Sequence, residues 1–379
     1  MLDSLLSLPL EQQVGQFFYI GLPGTELDAE TRSLVEHIQP GGIIIFGRNV
    51  ASPEQLRKLL DDIRGVVKVE PLFGIDQEGG LVDRLRRVMT PMPSARTIRQ
   101  HGDLAGARAL GRITAETLRR LGFNMNFAPV MSIMTDERDL LSNGLYSRSF
   151  GRSPGEVLGY TMVYLRALQS GGCMGCLKHF PGIGAGEVDS HEEMPLVHLS
   201  HDDLMAQDLA PYVELFQRED DRVRAVMVSH GGFPKIDIRH GVAGGRIEPA
   251  SLNHSIVTKL LREELGYAHL VVTDDLEMGA IAKHAPIESA VRRAFDAGQD
   301  MLLICSRPEL IRLGYDRLLQ AAREGEVSAE RIRASLKNIA DFKSLVQPPL
   351  PFDSERLRAL SDEIEALNSK LNYTYGGTI

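Results

Sequence analysis

Short apolar runs recur along the chain, each followed by a polar stretch with helical spacing. Eight stand out: Phe17–Gly21, Gly42–Phe46, Leu72–Asp76, Met125–Val130, Met174–His179, Ala225–His230, Leu270–Asp274 and Met301–Cys305. Their apolar positions are continuous rather than alternating, as strands buried on both faces of a parallel sheet require. Between them Pro53–Val66, Ala105–Leu121, Pro154–Ser170 and Glu288–Ala297 carry apolar residues three and four apart, the spacing of amphipathic helices. Eight β–α units predict an α/β fold, a (β/α)8 barrel of the TIM type, with a doubly wound open sheet as the rival. After Val346 the run Pro348-Pro349-Leu350-Pro351 breaks the pattern, and Ser354–Leu371 reads as a charged helix. The expected organisation is one barrel domain over residues 1–345. A C-terminal extension over 346–379 follows it, helical and then frayed, packed on the barrel exterior or on a second subunit.

Polar residues gather where the apolar runs end. Asp76-Gln77-Glu78 follows the third run, Lys178-His179 closes the fifth, Ser229-His230 the sixth and Asp274-Asp275 the seventh. In a barrel all those ends lie on one face, the face where active sites form, so the pattern points to an enzyme.

Composition narrows the classes. Acidic residues outnumber basic ones, giving a net charge of −9, which argues against a nucleic-acid partner. Three cysteines in 379 residues make no disulfide framework and fit a reducing compartment. Cys173 and Cys176 form a C-x-x-C, but they sit in an apolar run and read as core thiols. No 18-residue apolar stretch predicts a membrane span, and the first residues lack a signal-peptide pattern, so a cytoplasmic location is expected.

Three stretches carry candidate chemistry. Lys178-His179-Phe180-Pro181-Gly182 continues as a glycine-rich loop to Asp189-Ser190-His191. A carboxylate beside an imidazole fixes its tautomer and raises its basicity, which suits proton transfer near neutral pH. Thr273-Asp274-Asp275 places carboxylates at the barrel mouth, where one can act as nucleophile, base or metal ligand and the other as a helix cap. In Asp76-Gln77-Glu78-Gly79-Gly80, Asp76 can accept hydrogen bonds from ligand hydroxyls, and Arg84 can return over the mouth. Arg148, in Arg148-Ser149-Phe150-Gly151, is similar to Arg84.

Together these stretches resemble family 3 of the glycoside hydrolases, in its single-domain β-N-acetylglucosaminidase branch. The resemblance spans about residues 8 to 345. It rests on Lys178–His191, Asp76–Gly80 with Arg84, Phe127–Val130, Arg148–Gly151, Thr273-Asp274 and Gly41–Phe46. It implies a retaining exo-hydrolase that removes terminal β-linked N-acetylglucosamine from a small carbohydrate such as a muropeptide. Asp274 would be the nucleophile and His191, paired with Asp189, the acid/base. Asp76, Arg84, Arg148, Lys178 and His179 would hold the sugar hydroxyls. No cofactor and no metal is expected, and the oligomeric state stays open.

Four positions depart from the branch: Ile183 where His is usual, Ser132 and Ser147 where Asp is frequent, and Leu81 where a polar residue is common. They leave the aglycone side and loop closure open. A phosphorylase or β-glucosidase on the same site is the near rival; a neutral imidazole leaves the site less negative toward phosphate, which bears on the first of these. A sugar-binding protein without turnover is the non-enzyme rival. A barrel-type metal hydrolase would want His-x-His on the first strand, which reads Phe17-Phe18-Tyr19-Ile20-Gly21 instead.

Overall fold

The polypeptide, seen in a computed structural model, is described over residues 1–141, 143–218, 223–239 and 247–376. The apolar runs become β1 (Phe18–Gly21), β2 (Gly42–Ile45), β3 (Leu72–Ile75) and β4 (Met125–Asn126). They continue as β5 (Met174–Gly175 and Leu177–Phe180, divided at Cys176), β6 (Ala225–Val228), β7 (Leu270–Asp275) and β8 (Met301–Ile304). Each pairs in parallel with the next, and β8 returns to β1 with Phe18 opposite Leu302. The two halves of β5 pair with β4 and β6, so the ring closes and the open-sheet alternative is excluded. This is the (β/α)8 barrel that the apolar runs predict.

The interior is filled rather than hollow. Tyr19 lies fully buried across the lumen, edge-on to Phe127 with ring centroids 5.2 Å apart. Gly42 and Gly74 face it because nothing larger fits. A Cβ on Gly42 would stand 2.5 Å from the Tyr19 ring, and one on Gly74 2.2 Å from its hydroxyl.

Several outer helices begin at side-chain caps. Ser52 accepts from the Gln55 amide ahead of Pro53–Arg64, and Ser153 from the Glu156 amide ahead of Pro154–Ser170. Proline takes the first helical position in both, where its missing N–H costs nothing.

Helix Ser354–Leu371 lies against helix Leu104–Leu121 on the barrel exterior. It buries Leu357, Leu360, Ile364, Leu367 and Leu371. Arg356 pairs with Glu116 at 2.7 Å and Lys370 with Asp103 at 2.8 Å. Each buried aliphatic side chain contributes about 1.5–3 kcal/mol, against about 0–1 kcal/mol for an exposed ion pair. The apolar stripe therefore holds the helix, and the charges set its register. Cys173 and Cys176 are buried and unpaired, and burial pushes the Cys173 thiol up to about 12.

Two strands are irregular at their C-terminal ends. Between β5 and β6, Lys178 faces Met227 but Phe180 faces Val228, so His179 is an extra residue. Between β7 and β8, Val272 faces Met301 and Asp275 faces Leu303, three steps against two. The Leu303 amide freed by that slip donates to Thr273 Oγ1 at 2.9 Å. Bulges re-aim side chains and are over-represented beside active sites. Here they fall at His179 and at Thr273-Asp274.

Candidate active site

The strand ends open into a cleft of about 100 Å³. Asp76, Arg84, Arg148, Lys178, His179, His191 and Asp274 all line it, so seven of the eight sequence-predicted residues meet there. Asp189 stands behind His191 instead. Ile44, Phe46, Met227, Met278 and Leu303 form apolar wall.

The floor is a charge quartet. Lys178 Nζ lies 2.7 Å from Asp76 Oδ1 and 2.6 Å from Glu78 Oε1. Arg148 grips Glu78 with both arms, Nε to Oε2 at 2.8 Å and Nη2 to Oε1 at 2.9 Å, the bidentate geometry that fixes a guanidinium plane. Burial alone would raise the Glu78 carboxyl, yet Arg148 and Lys178 outweigh it and hold the group down at about 2. Asp76 is likewise lowered, by Lys178 and then Arg84 against burial. Lys178 is raised by the same two carboxylates, although burial opposes this. All four groups are therefore charged at neutral pH, and their charges cancel.

Arg84 reaches the cleft through a hairpin. Gln77–Gly79 pairs with Val82–Asp83, and Gly79 and Gly80 make the turn with φ of +90° and +60°. A Cβ on Gly79 would lie 2.3 Å from the Pro93 carbonyl oxygen, so the turn needs glycine for space as well as for φ. Gln77 Oε1 then accepts the Arg84 and Leu85 amides, and Arg84 Nη2 comes to 3.5 Å from Asp76 Oδ2.

Asp274 Oδ1 accepts the amide of Asp275 at 2.8 Å, while Oδ2 lies 3.7 Å from His179 Nε2. Burial works against its charge, but that amide and the Lys178 ammonium hold the carboxyl below its usual value. His179 is driven far down by burial, so its imidazole is neutral. Asp275 differs from Asp274. Its Oδ1 is taken by the amides of Glu277 and Cys305, and burial with repulsion from Glu277 and Asp274 pushes its carboxyl up to about 7. One carboxylate is thus poised and ionised, and its neighbour is committed to the loop.

Asp189 Oδ1 accepts both the His191 amide at 2.9 Å and Nδ1 at 2.7 Å. With Nδ1–H donated to the carboxylate, Nε2 is the atom free to exchange a proton. The His191 ring is exposed at the cleft rim. His230, at the end of β6, is fully buried between Ser251 Oγ at 2.7 Å and the Asp275 carbonyl at 2.8 Å, which leaves it no role in the cleft.

The four departures do not line the cleft. Ile183, within the glycine-rich loop, packs into the core, and Ser132 and Ser147 are buried with hydroxyls that make no hydrogen bond among the described residues. Leu81 is exposed on the hairpin. Among the described residues no group of three His, Cys, Asp or Glu is placed to hold a metal, and no helix is long and apolar enough to cross a membrane.

Glu78 is the residue the sequence argument passes over. Its signal lies in its spacing: Asp76 and Glu78 are two apart at a strand end, so an extended backbone turns both the same way. Removing one partner of a buried ion pair costs about 3–5 kcal/mol, because the other charge is left alone. Glu78→Gln is expected to lower the unfolding free energy by that amount at pH 7, read as a lower urea midpoint. The sign with pH follows from the depressed carboxyl. Its stabilisation is complete above the usual carboxylate value of 4.5 and fades as pH falls toward about 2. An unchanged midpoint at pH 7 would mean that the quartet does not hold this floor together.

The chain matches the glycosyl hydrolase family 3 N-terminal domain over residues 9–342. It is 35% identical over 298 residues to a β-hexosaminidase of Alkalilimnicola ehrlichii, covering 77% of this chain and 81% of that one. A β-hexosaminidase of Neisseria gonorrhoeae is 33% identical over 278 residues, 72% of this chain and 73% of the relative. Among solved structures, a family 3 β-N-acetylglucosaminidase from Paenibacillus sp. str. FPU-7 superposes with a TM-score of 0.84 at 32% identity. That match covers 95% of this chain and 69% of that one. With a barrel of that family's form and the cleft at its strand ends, the chain belongs to glycosyl hydrolase family 3 and is a glycoside hydrolase.

Proposed function

We propose that the protein is a retaining exo-glycosidase that removes terminal β-linked N-acetylglucosamine. The observation that carries this reading is the shared cleft: an ionised Asp274 on a bulged strand end, and a carboxylate-backed His191 at the rim. Asp274 attacks the anomeric carbon while His191 Nε2 gives its proton to the departing oxygen. A covalent glycosyl-enzyme forms and the C–O bond to the aglycone breaks. His191, now neutral, takes a proton from water, which displaces Asp274 and restores both groups. Asp189 holds Nδ1–H and stabilises the imidazolium. Asp76, Arg84, Arg148, Lys178 and neutral His179 hold the sugar hydroxyls, with Glu78 fixing the two cations. Every step uses a proton or a covalent bond to this chain, so no metal is needed.

The 2-acetamido preference follows the family resemblance and the names of the relatives; a muropeptide substrate follows the resemblance alone, and a cytoplasmic location follows the sequence pattern. Paired aryl β-glycosides that differ only at the 2-position test it. The N-acetylglucosaminide is expected to turn over faster than the glucoside, to release free sugar, and to do so at the same rate with or without phosphate. Faster glucoside cleavage would overturn the sugar preference. A glycosyl phosphate product would make the enzyme a phosphorylase.

A further inference from the structure

The loop that carries Asp189 and His191 is pinned at both ends. Asn143, itself buried, donates from Nδ2 to the carbonyls of Gly184 at 3.0 Å and Gly186 at 3.1 Å. The other end rests on the short helix Gly279–Ala282, which begins four residues after Asp275 on the nucleophile's own strand–helix loop. There the Gly279 amide donates to the His191 carbonyl at 3.2 Å and the Ala280 amide to the Ser190 carbonyl at 3.3 Å. First-turn amides have no acceptor inside their helix, so these two are available to a neighbouring segment.

This contact leaves no room for a side chain. A Cβ on Gly279 would stand 2.4 Å from the Glu192 carbonyl oxygen and 2.6 Å from that of His191. Both obstacles are backbone and cannot rotate away, so one added methyl must move a whole segment. The residue before it, Met278, lines the cleft. The stretch that carries Asp274 thus also forms the seat for the backbone of His191.

We propose that Gly279 is a positioning residue for the proton-transfer step: its bare Cα lets the His191 loop dock on the nucleophile's loop, which sets where the imidazole stands over the cleft. It acts through His191 and touches no substrate. The inference rests on the reading of Asp274 as nucleophile and His191 as acid/base.

The test compares full-length wild type, Gly279→Ala, His191→Ala and the double variant. Two substrates are used, a disaccharide with a basic alkoxide leaving group and an aryl glycoside with an acidic phenol. A shift of the imidazole by about 1 Å is expected to cost Gly279→Ala about 100-fold in kcat on the disaccharide. The aryl glycoside needs little protonation, so its glycosylation rate is expected to fall far less. Labelling of Asp274 by a 2-deoxy-2-fluoro donor with an acidic leaving group should proceed at the wild-type rate, which also reports that the barrel is folded. Amide exchange across residues 183–193 should be faster than in wild type. The double variant should be no slower on the disaccharide than His191→Ala, since both changes disable one step.

Unchanged exchange in the loop, or equal losses on the two substrates, would overturn the proposal. Leaving-group dependence in His191→Ala but not in Gly279→Ala overturns it alone. Its absence from His191→Ala itself removes the acid/base assignment, and the proposal with it.

Discussion

Asp274→Ala is expected to abolish turnover and leave the fold in place. Loss of a nucleophile costs on the order of 10⁴–10⁶-fold in kcat, because the route through the covalent intermediate is closed. The fold should tolerate the change. Among the described residues the Asp274 carboxylate accepts one hydrogen bond, from the amide of the next residue, and its charge is carried against the pull of burial. The bulge that presents it is secured from Thr273, whose hydroxyl takes the Leu303 amide, and that bond survives in the variant. A shift in stability of more than a few kcal/mol would mean that Asp274 also holds the strand end. A 2-deoxy-2-fluoro glycosyl donor should label Asp274, as peptide mapping can show. The neighbouring carboxylates are poorly placed to compete. Asp275 is turned to two amides and is pushed toward its neutral form, and Glu277 is held by Arg307 at 2.9 Å. A label on either would sink the assignment.

The barrel was legible because its strands are buried on both faces, which turns each into an unbroken apolar run. The helices at Pro53–Val66 and Pro154–Ser170 were legible from their apolar spacing. Other features depend on the three-dimensional arrangement. The division of β5 at Cys176 arises because its halves serve different neighbours, and no residue in Met174–Phe180 announces it. Glu78 has the spacing of a site residue, but its value comes from Arg148, 70 positions later in the chain. His230 shows the converse. A histidine at a strand end looks like a candidate acid, yet its ring is closed off by Ser251 and the Asp275 carbonyl. The alternation of a strand gives the side a residue faces, and only the closed ring gives what it meets there. Ile183 is a third case: a departure inside the motif loop that packs downward into the core, away from the sugar cleft.

His191→Ala is expected to show a loss that depends on the leaving group. The acid protonates the departing oxygen, so it matters most when that oxygen is strongly basic and least when it leaves as an acidic phenolate. Cleavage of a disaccharide should therefore be crippled, whereas glycosyl-enzyme formation from an activated aryl glycoside should slow much less. The second step still lacks its base. Intermediate should accumulate on Asp274, and the first turnover should appear as a burst of phenol ahead of a slow steady state. Azide, which needs no deprotonation to attack, should speed that steady state and yield a β-configured glycosyl azide, because two displacements at one carbon retain configuration. Asp189→Asn should reproduce the pattern in weaker form. It keeps an acceptor near Nδ1 but removes the charge that stabilises the imidazolium. Equal losses on both substrates, with no burst and no azide effect, would mean that His191 binds or orders the Gly182–Gly186 loop and carries no proton. The acid would then have to come from elsewhere on the barrel face. His230 is closed off by Ser251 and the Asp275 carbonyl, and Glu187 is exposed and does not line the cleft, so neither stands where it can protonate the departing oxygen.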